Sequence, residues 1–226
     1  MTYGRHRSDE LTPELVLRAY AAGIFPMAES RDDPDVFWVD PSERGVMPLD
    51  RFHVPKSLRK TIRRGVFAVT VDTAFREVIA ACAERPETWI NGIIEDAFVE
   101  LHDRGFGHSV ECWQDGKLVG GLYGIAFGAA FFGESMFSTR DDASKVALVN
   151  LVARLRLGRF RLLDTQFVTE HLRQFGVEEL PCRFYLEKLE SAIAHRGVFS
   201  RIVDEEAIAA EIERMIAGEP LDYPIP

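Results

Sequence analysis

Cysteine is scarce in this chain. Its three cysteines, Cys82, Cys112 and Cys182, stand far apart among 226 residues and form no CxxC pair. That spacing excludes a disulfide framework and a cysteine-rich zinc site. The six histidines include no HExxH or HxH, so no metal-ligand set is expected. No apolar run approaches the ~20 residues that a bilayer span requires, and no membrane association is expected. The opening MTYGRHRSDELTPE has basic residues with no apolar core behind them, which is not the pattern of a secretory signal. A cytoplasmic location is the expectation. The sequence shows no internal repeat and no low-complexity tract.

What is present is the balance of a globular protein, 46% apolar and 28% charged. The length allows one domain with a small extra lobe. A net charge of −9 argues, taken alone, against a nucleic-acid partner. The charges are segregated, however, so the total is a poor summary.

Thr12 as cap, Pro13 in the first turn and Gly23 as stop predict a first helix. Residues 24–50 carry four prolines and read as an irregular, aromatic-bearing wrap. Pro55 opens a helix that ends near Gly65. From residue 66 the pattern becomes α/β: strand 66–71; a helix AFREVIAACAE capped by Asp72 or Thr73; and a helix after Asn91 that stops at Gly105. Two strands follow, joined at Asp115-Gly116, the strongest short hairpin signal in the chain. Then come strand 129–133, a long amphipathic helix near 143–157, strand 160–164 and short helices at 169–175 and 183–194. Residues 204–217 read as an acidic helix and a surface appendage. The expected fold is α/β (α+β), with a small N-terminal lobe over residues 1–64. Residues 65–226 are expected to form an acetyltransferase-like mixed sheet flanked by helices, with a helical tail.

Three groups of residues point to chemistry. Asp164 and Gln166 fall at the C-terminal end of an apolar strand, the usual ligand mouth of α/β sheets, and a period of two puts both on one face. The plainer alternative is that Asp164 caps the next helix. Glu134 ends strand AAFFG within GES, either at a site or as a surface carboxylate. Lys56, Arg59, Lys60, Arg63 and Arg64 recur at i, i+3, i+4, i+7 and i+8. They form one cationic helix face, backed by Val54, Leu58 and Ile62. Uniform sign on that face favours a phosphate backbone over a merely solvated surface.

Longer phrases carry more. YAAGIFPM (20–27), FWVDPSERGVMPLDRFHVPKSLRK (37–60), TWI (88–90), HSVECW (108–113), LVGGLYG (118–124), FFGESMFS (131–138), DASKVAL (142–148) and LLDTQF (162–167) appear in this order. Across residues 15–185 the chain resembles the leucyl/phenylalanyl-tRNA–protein transferase family. It departs from that family's pattern in having Thr169 where Asn is common, and in a tail beyond Ser200 with no evident counterpart.

The resemblance implies an acetyltransferase-like fold and transfer of Leu, Phe and less readily Met from aminoacyl-tRNA. The acceptor is a protein that begins with Arg or Lys, which is thereby marked for N-degron degradation. The reaction is aminolysis of an activated ester, so no cofactor is implied, and nothing demands more than a monomer. Asp164, Gln166 and Glu134 would be the catalytic set. Trp38 and Trp89 would contact the 3′-terminal adenosine. Phe131, Met136, Leu148, Leu151 and Leu163 would form the donor's apolar slot, where a thioether adapts to branched and aromatic shapes alike. The basic helix would hold tRNA. An acetyl-CoA-dependent enzyme would need a glycine-rich turn before the long helix for pyrophosphate. Here that segment is ESMFSTRDDASKVAL, with no glycine and with Asp141 and Asp142 at the helix start. A plain RNA-binding module would leave the DTQ and GES elements unexplained.

Overall fold

Asp115 and Gly116 take φ values of 52° and 71°, the left-handed pair of a type I′ turn. They close the long hairpin at the centre of the molecule, β5 (Gly107–Gln114) with β6 (Lys117–Phe127). The computed structural model describes residues 11–225. The basic opening segment, residues 1–10, lies outside the described residues.

The chain starts with α1 (Pro13–Ala21), where Thr12 Oγ1 accepts from Leu15 N at 3.3 Å. Strands β1 (Phe25–Met27) and β2 (Phe37–Val39) pair with each other as a separate ribbon. Strand β3 (Glu43–Val46) does not stay with them. Helices α2 (Lys56–Arg63), α3 (Phe75–Ala83) and α4 (Gly92–Asp103) follow, with β4 (Ala68–Val71) after α2. After the hairpin come β7 (Ala130–Ser138), α5 (Ala143–Leu157), β8 (Leu162–Gln166), α6 (Glu170–Arg173), β9 (Glu178–Pro181), α7 (Cys182–Ile193) and α8 (Glu205–Ala217). One seven-stranded sheet runs β4-β5-β6-β7-β8-β3-β9, antiparallel throughout except for the parallel pair β7/β8. One apolar layer packs α1, α3, α4 and α7 on the first face, and a second packs α2, α5 and α8 on the other. This is the expected mixed sheet with helices on both faces. No helix among the described residues is long and apolar enough to cross a membrane.

Four local readings need correction. The expected wrap contributes β3, which enters the main sheet between β8 and β9. It is short and flanked by Pro41 and Pro48, so it carries no alternating pattern to announce it. Its Gly45 is obligatory, because a Cβ there would lie 2.7 Å from Thr165 Oγ1 and 2.8 Å from the Phe167 carbonyl carbon. Neither Asp72 nor Thr73 caps α3, whose N-cap position is Ala74 and which has no side-chain cap. Asp72 instead accepts from Ser109 N and His108 Nδ1, both at 2.8 Å, and from Arg201 Nε at 2.7 Å.

Helix α5 is not amphipathic: twelve of its fifteen residues are buried. The sheet covers one side and α8 the other. For the same reason α8 is no appendage. Ile208, Ile212 and Met215 are buried under it, and Arg156 Nε donates to Glu211 Oε1 at 2.5 Å in a pair hidden from solvent. Strand β9, with sequence EELP, gives no strand signal of its own; its charges and Pro181 suit an outer edge.

Candidate active site

Strands β7 and β8 pair only as far as Phe132 and Asp164. Beyond that point β7 runs on to Ser138, and a cavity of about 880 Å³ opens between the two strands. Its wall takes Leu122, Tyr123 and residues 133–139 from the hairpin side. Leu163, Thr165 and Gln166 come from β8, Phe167 from just after it, Leu148 and Leu151 from α5, Thr169, His171 and Leu172 from the α6 turn, and Trp89 from the loop before α4. Apolar groups of both layers meet here: Tyr123 and Trp89 belong to the first, Leu148, Leu151 and Leu163 to the second.

A β-bulge aims the carboxylate. Gly124 pairs with Gly133 and Tyr123 with Ser135, which leaves Glu134 without a partner on β6. The extra residue shifts the alternation of β7 and turns the side chain of Glu134 toward the first layer. There its Oε1 accepts from Tyr20 Oη at 2.7 Å and its Oε2 from Gln166 Nε2 at 2.8 Å. Burial raises the Glu134 pKa to about 8. The two hydrogen bonds pull it down, and the nearby Asp164 charge pushes it up.

Gln166 ends β8 with φ of 60°, a conformation uncommon for a residue with a side chain. Its N–H donates to Asp164 Oδ1 at 2.7 Å, which fixes that turn. Asp164 in turn is fully enclosed. Arg44 Nε donates to both of its oxygens at 3.0 Å, Arg44 Nη2 donates to Oδ2 at 2.7 Å and Tyr185 Oη donates to Oδ2 at 2.6 Å. Arg44 Nη1 also donates to the Gly23 carbonyl at 2.9 Å, and the guanidinium lies 4.4 Å from the Phe25 ring centroid and 4.8 Å from that of Tyr185. Burial opposes the Arg44 charge, but Asp164 outweighs it and raises the pKa. Burial and then Asp164 raise the pKa of Tyr185. The result is one chain of polar contacts, Tyr20–Glu134–Gln166–Asp164–Arg44, with Tyr185 on the carboxylate.

The structure therefore sorts the expected residues. Glu134, Gln166, Trp89, Met136, Leu148, Leu151 and Leu163 share the cavity wall. Asp164 does not cap a helix, but it also does not reach the cavity: it has no exposed surface and stands behind Gln166. Phe131 is a correction as well. It sits where β7 is still paired to β8, inside the second layer, against Phe160 at 6.3 Å and Phe199 at 5.7 Å. Trp38 lies in the β1–β2 ribbon opposite Pro26, half-buried and outside the wall.

On α2, Val54 and Leu58 are buried and Ile62 partly so, as the spacing requires. Lys56, Lys60, Arg63 and Arg64 are exposed, while Arg59 is half-buried with its Nε donating to the Val54 carbonyl at 2.8 Å. Arg63 is already engaged, donating to Glu213 of α8 at 3.0 and 2.7 Å. Such a pair between exposed side chains contributes little and is readily exchanged. Thr61 Oγ1 donates to Asp142 Oδ2 at 2.9 Å, which ties α2 to the start of α5. That carboxylate stands at the N-cap position of α5, and Lys145 pairs with it at 2.9 Å.

Sequence reasoning missed Tyr20, Arg44 and Tyr185. Tyr20 and Arg44 lie inside the phrases YAAGIFPM and FWVDPSERGVMPLDRFHVPKSLRK. Arg44 gives a signal of its own, as a lone arginine beside a glycine between two prolines.

An apolar cavity and a bulge-mounted carboxylate meet in the split of the sheet, and comparison with known proteins shows the chain to be an aminoacyl-transfer enzyme. Within that class the chain belongs to the leucyl/phenylalanyl-tRNA protein transferase family. The family's model matches residues 46–190, and the model of its N-terminal domain matches residues 9–42. The chain is 63% identical over 195 residues to the leucyl/phenylalanyl-tRNA–protein transferase of Paramagnetospirillum magneticum, covering 84% of this chain and 93% of that one. It is 55% identical over 207 residues to the Rhodospirillum rubrum protein of the same name, covering 90% and 96%. The Rhodopseudomonas palustris protein of that name is also 55% identical, over 213 residues, covering 92% and 93%.

Proposed function

We propose that this chain moves leucine or phenylalanine, and less readily methionine, from aminoacyl-tRNA to the α-amine of proteins that begin with Arg or Lys. That transfer marks them for degradation through the N-degron pathway. The observation that carries this reading is the placement of Glu134. A carboxylate poised near pH 8 lies in the wall of the same cavity as the apolar slot.

The chemistry follows from what the reaction must overcome. The acceptor's α-ammonium ordinarily titrates near pH 7.7–8.0, so a carboxyl of similar pKa exchanges a proton with it at little cost. The freed amine attacks the ester carbonyl, and a C–N bond forms as the carbonyl π pair moves onto oxygen. Collapse of the tetrahedral species breaks the C–O bond to the terminal ribose. The ribose oxygen leaves with the proton that Glu134 received, the attacking nitrogen gives its second proton to the re-ionised Glu134 and from there to solvent, and a neutral amide remains. Gln166 holds Glu134 in line. Asp164, enclosed by Arg44 and Tyr185, is a positioning residue: it fixes the turn at Gln166 and meets no substrate. Met136, Leu148, Leu151 and Leu163 receive the donor side chain. An apolar slot separates similar side chains by only ~1–3 kcal/mol per methylene, which suits a broad preference. Trp89 offers a ring for the terminal adenine, a contact worth ~1–3 kcal/mol. The exposed cations of α2 hold the tRNA backbone. All of these groups come from one chain, so a monomer is the proposed active species. Aminoacyl-tRNA is a cytoplasmic substrate, so the reaction belongs there.

The test is a transfer assay with Leu-tRNA and Phe-tRNA against peptides beginning with Arg, Lys or an uncharged residue. Transfer restricted to the basic N-termini is expected. No transfer from freshly charged tRNA to any of them removes the proposal. Binding offers a separate check. Reversing Arg59, Lys60 and Arg63 to Glu is expected to weaken tRNA binding and flatten its salt dependence, because fewer phosphates are neutralised and fewer counterions are released. A salt slope equal to that of the unaltered protein means the stripe is solvated surface only.

A further inference from the structure

Among the described residues, three cavity-wall side chains carry buried polar atoms with no hydrogen-bond partner: Tyr123 Oη, Thr165 Oγ1 and His171 Nε2. Folded proteins leave few such atoms, and each one in a ligand cavity calls for a ligand or water to complete it. Tyr123 stands apart from the other two. It lies on β6 directly beside the bulge that carries Glu134. Its ring is held edge-on by Phe75 at 5.7 Å and by Phe98 at 5.9 Å, and it has no exposed surface. The hydroxyl is therefore held in place, screened from bulk water and unsatisfied, on a residue paired beside the bulge that carries Glu134.

The reaction needs a donor at that place. Aminolysis puts a negative charge on the former carbonyl oxygen, and a fixed hydrogen-bond donor in a dry site stabilises it. The neighbouring donors are already used: Tyr20 Oη and Gln166 Nε2 both point at Glu134. We propose that Tyr123 is a catalytic residue that donates its O–H to the ester carbonyl oxygen as it becomes tetrahedral. The proposal rests on the transfer activity above. The phenol keeps its proton throughout, so the proton and electron balance of the step is unchanged. Burial, followed by the Glu134 charge, raises the Tyr123 pKa well above the usual phenol value, and the group serves only as a donor.

Tyr123→Phe tests this with two readouts, the single-turnover transfer rate with pre-charged tRNA and the thermal midpoint. The rate is expected to fall roughly 100- to 1000-fold, the range for removing one oxyanion donor. The thermal midpoint is expected to hold or rise, because the variant deletes a buried hydroxyl that has no partner. A rate within tenfold of the unaltered enzyme overturns the proposal. So does a thermal midpoint that falls along with the rate, since the hydroxyl would then be part of the folded framework. If the unaltered protein itself transfers nothing, the failure lies with the proposed function and not with Tyr123.

Discussion

Asp164→Leu is expected to destabilise the protein by about 3–5 kcal/mol, the usual result of stripping one partner from a buried ion pair. The arginine left behind has no exposed surface and loses three of its four side-chain hydrogen bonds in one step. Native domains are stable by only about 5–15 kcal/mol, so the loss will show plainly in urea or thermal unfolding. Adding Arg44→Met removes the orphaned charge and replaces it with an apolar side chain. The double variant is expected to regain most of the lost stability without regaining transfer, because nothing then fixes the turn at Gln166. Two results would defeat this account. One is a single variant as stable as the parent. The other is a double variant that transfers normally, which would make the Asp164–Gln166 contact irrelevant to the chemistry.

Glu134→Gln carries the second large effect. It keeps the shape of the side chain and an acceptor for Tyr20, but it removes the proposed proton acceptor. The loss of kcat/KM is expected to be on the order of 10²- to 10⁴-fold, the range for general acid–base assistance. The parent's rate is expected to climb with pH toward about 8, where Glu134 ionises. The residual rate of the variant should follow only the acceptor amine. The same carboxyl gives a stability signature of definite sign. Its folded-state pKa stands above the unfolded value, so the folded form holds an extra proton between the ordinary carboxylate range and about pH 8. Stability therefore falls as pH rises through that window and levels off above it. The Gln variant lacks this term and should unfold at a higher temperature than the parent at pH 9. Parallel melting curves for the two proteins from pH 5 to 9 would show that Glu134 is not held in the way described.

Much of the architecture is legible in the sequence. Thr12, Asn91, Asp115-Gly116 and Gly218 each dictate a local backbone geometry, and each element they bound is present. Elements decided by long-range packing are not legible. Strands β3 and β9 are four residues each and carry no period-two pattern, because their place is set by the partners they find. Helix α5 reads as amphipathic when its charges are taken to face solvent, whereas Arg156 is buried against Glu211 of α8.

At the site, the residues of GES and DTQ announce themselves by acidity at strand ends, and those strand ends do meet. Their division of labour is hidden. Which carboxylate faces the cavity depends on a bulge and on an arginine brought from far away. Proximity in sequence groups Phe131 and Met136 as one slot, but strand pairing keeps the first in the core while the second reaches the cavity.

The insertion of β3 between β8 and β9 also bears on how the enzyme comes into being. Arg44 meets Asp164 across a separation of 120 residues, so the N-terminal part must wait for its partner strands to be synthesised. A growing chain still on the ribosome can form the β5–β6 hairpin early. It cannot close the sheet around the cavity until residues beyond 181 have emerged. Contacts so distant along the chain slow folding. A half-made enzyme of this kind therefore has no assembled reaction centre with which to consume charged tRNA.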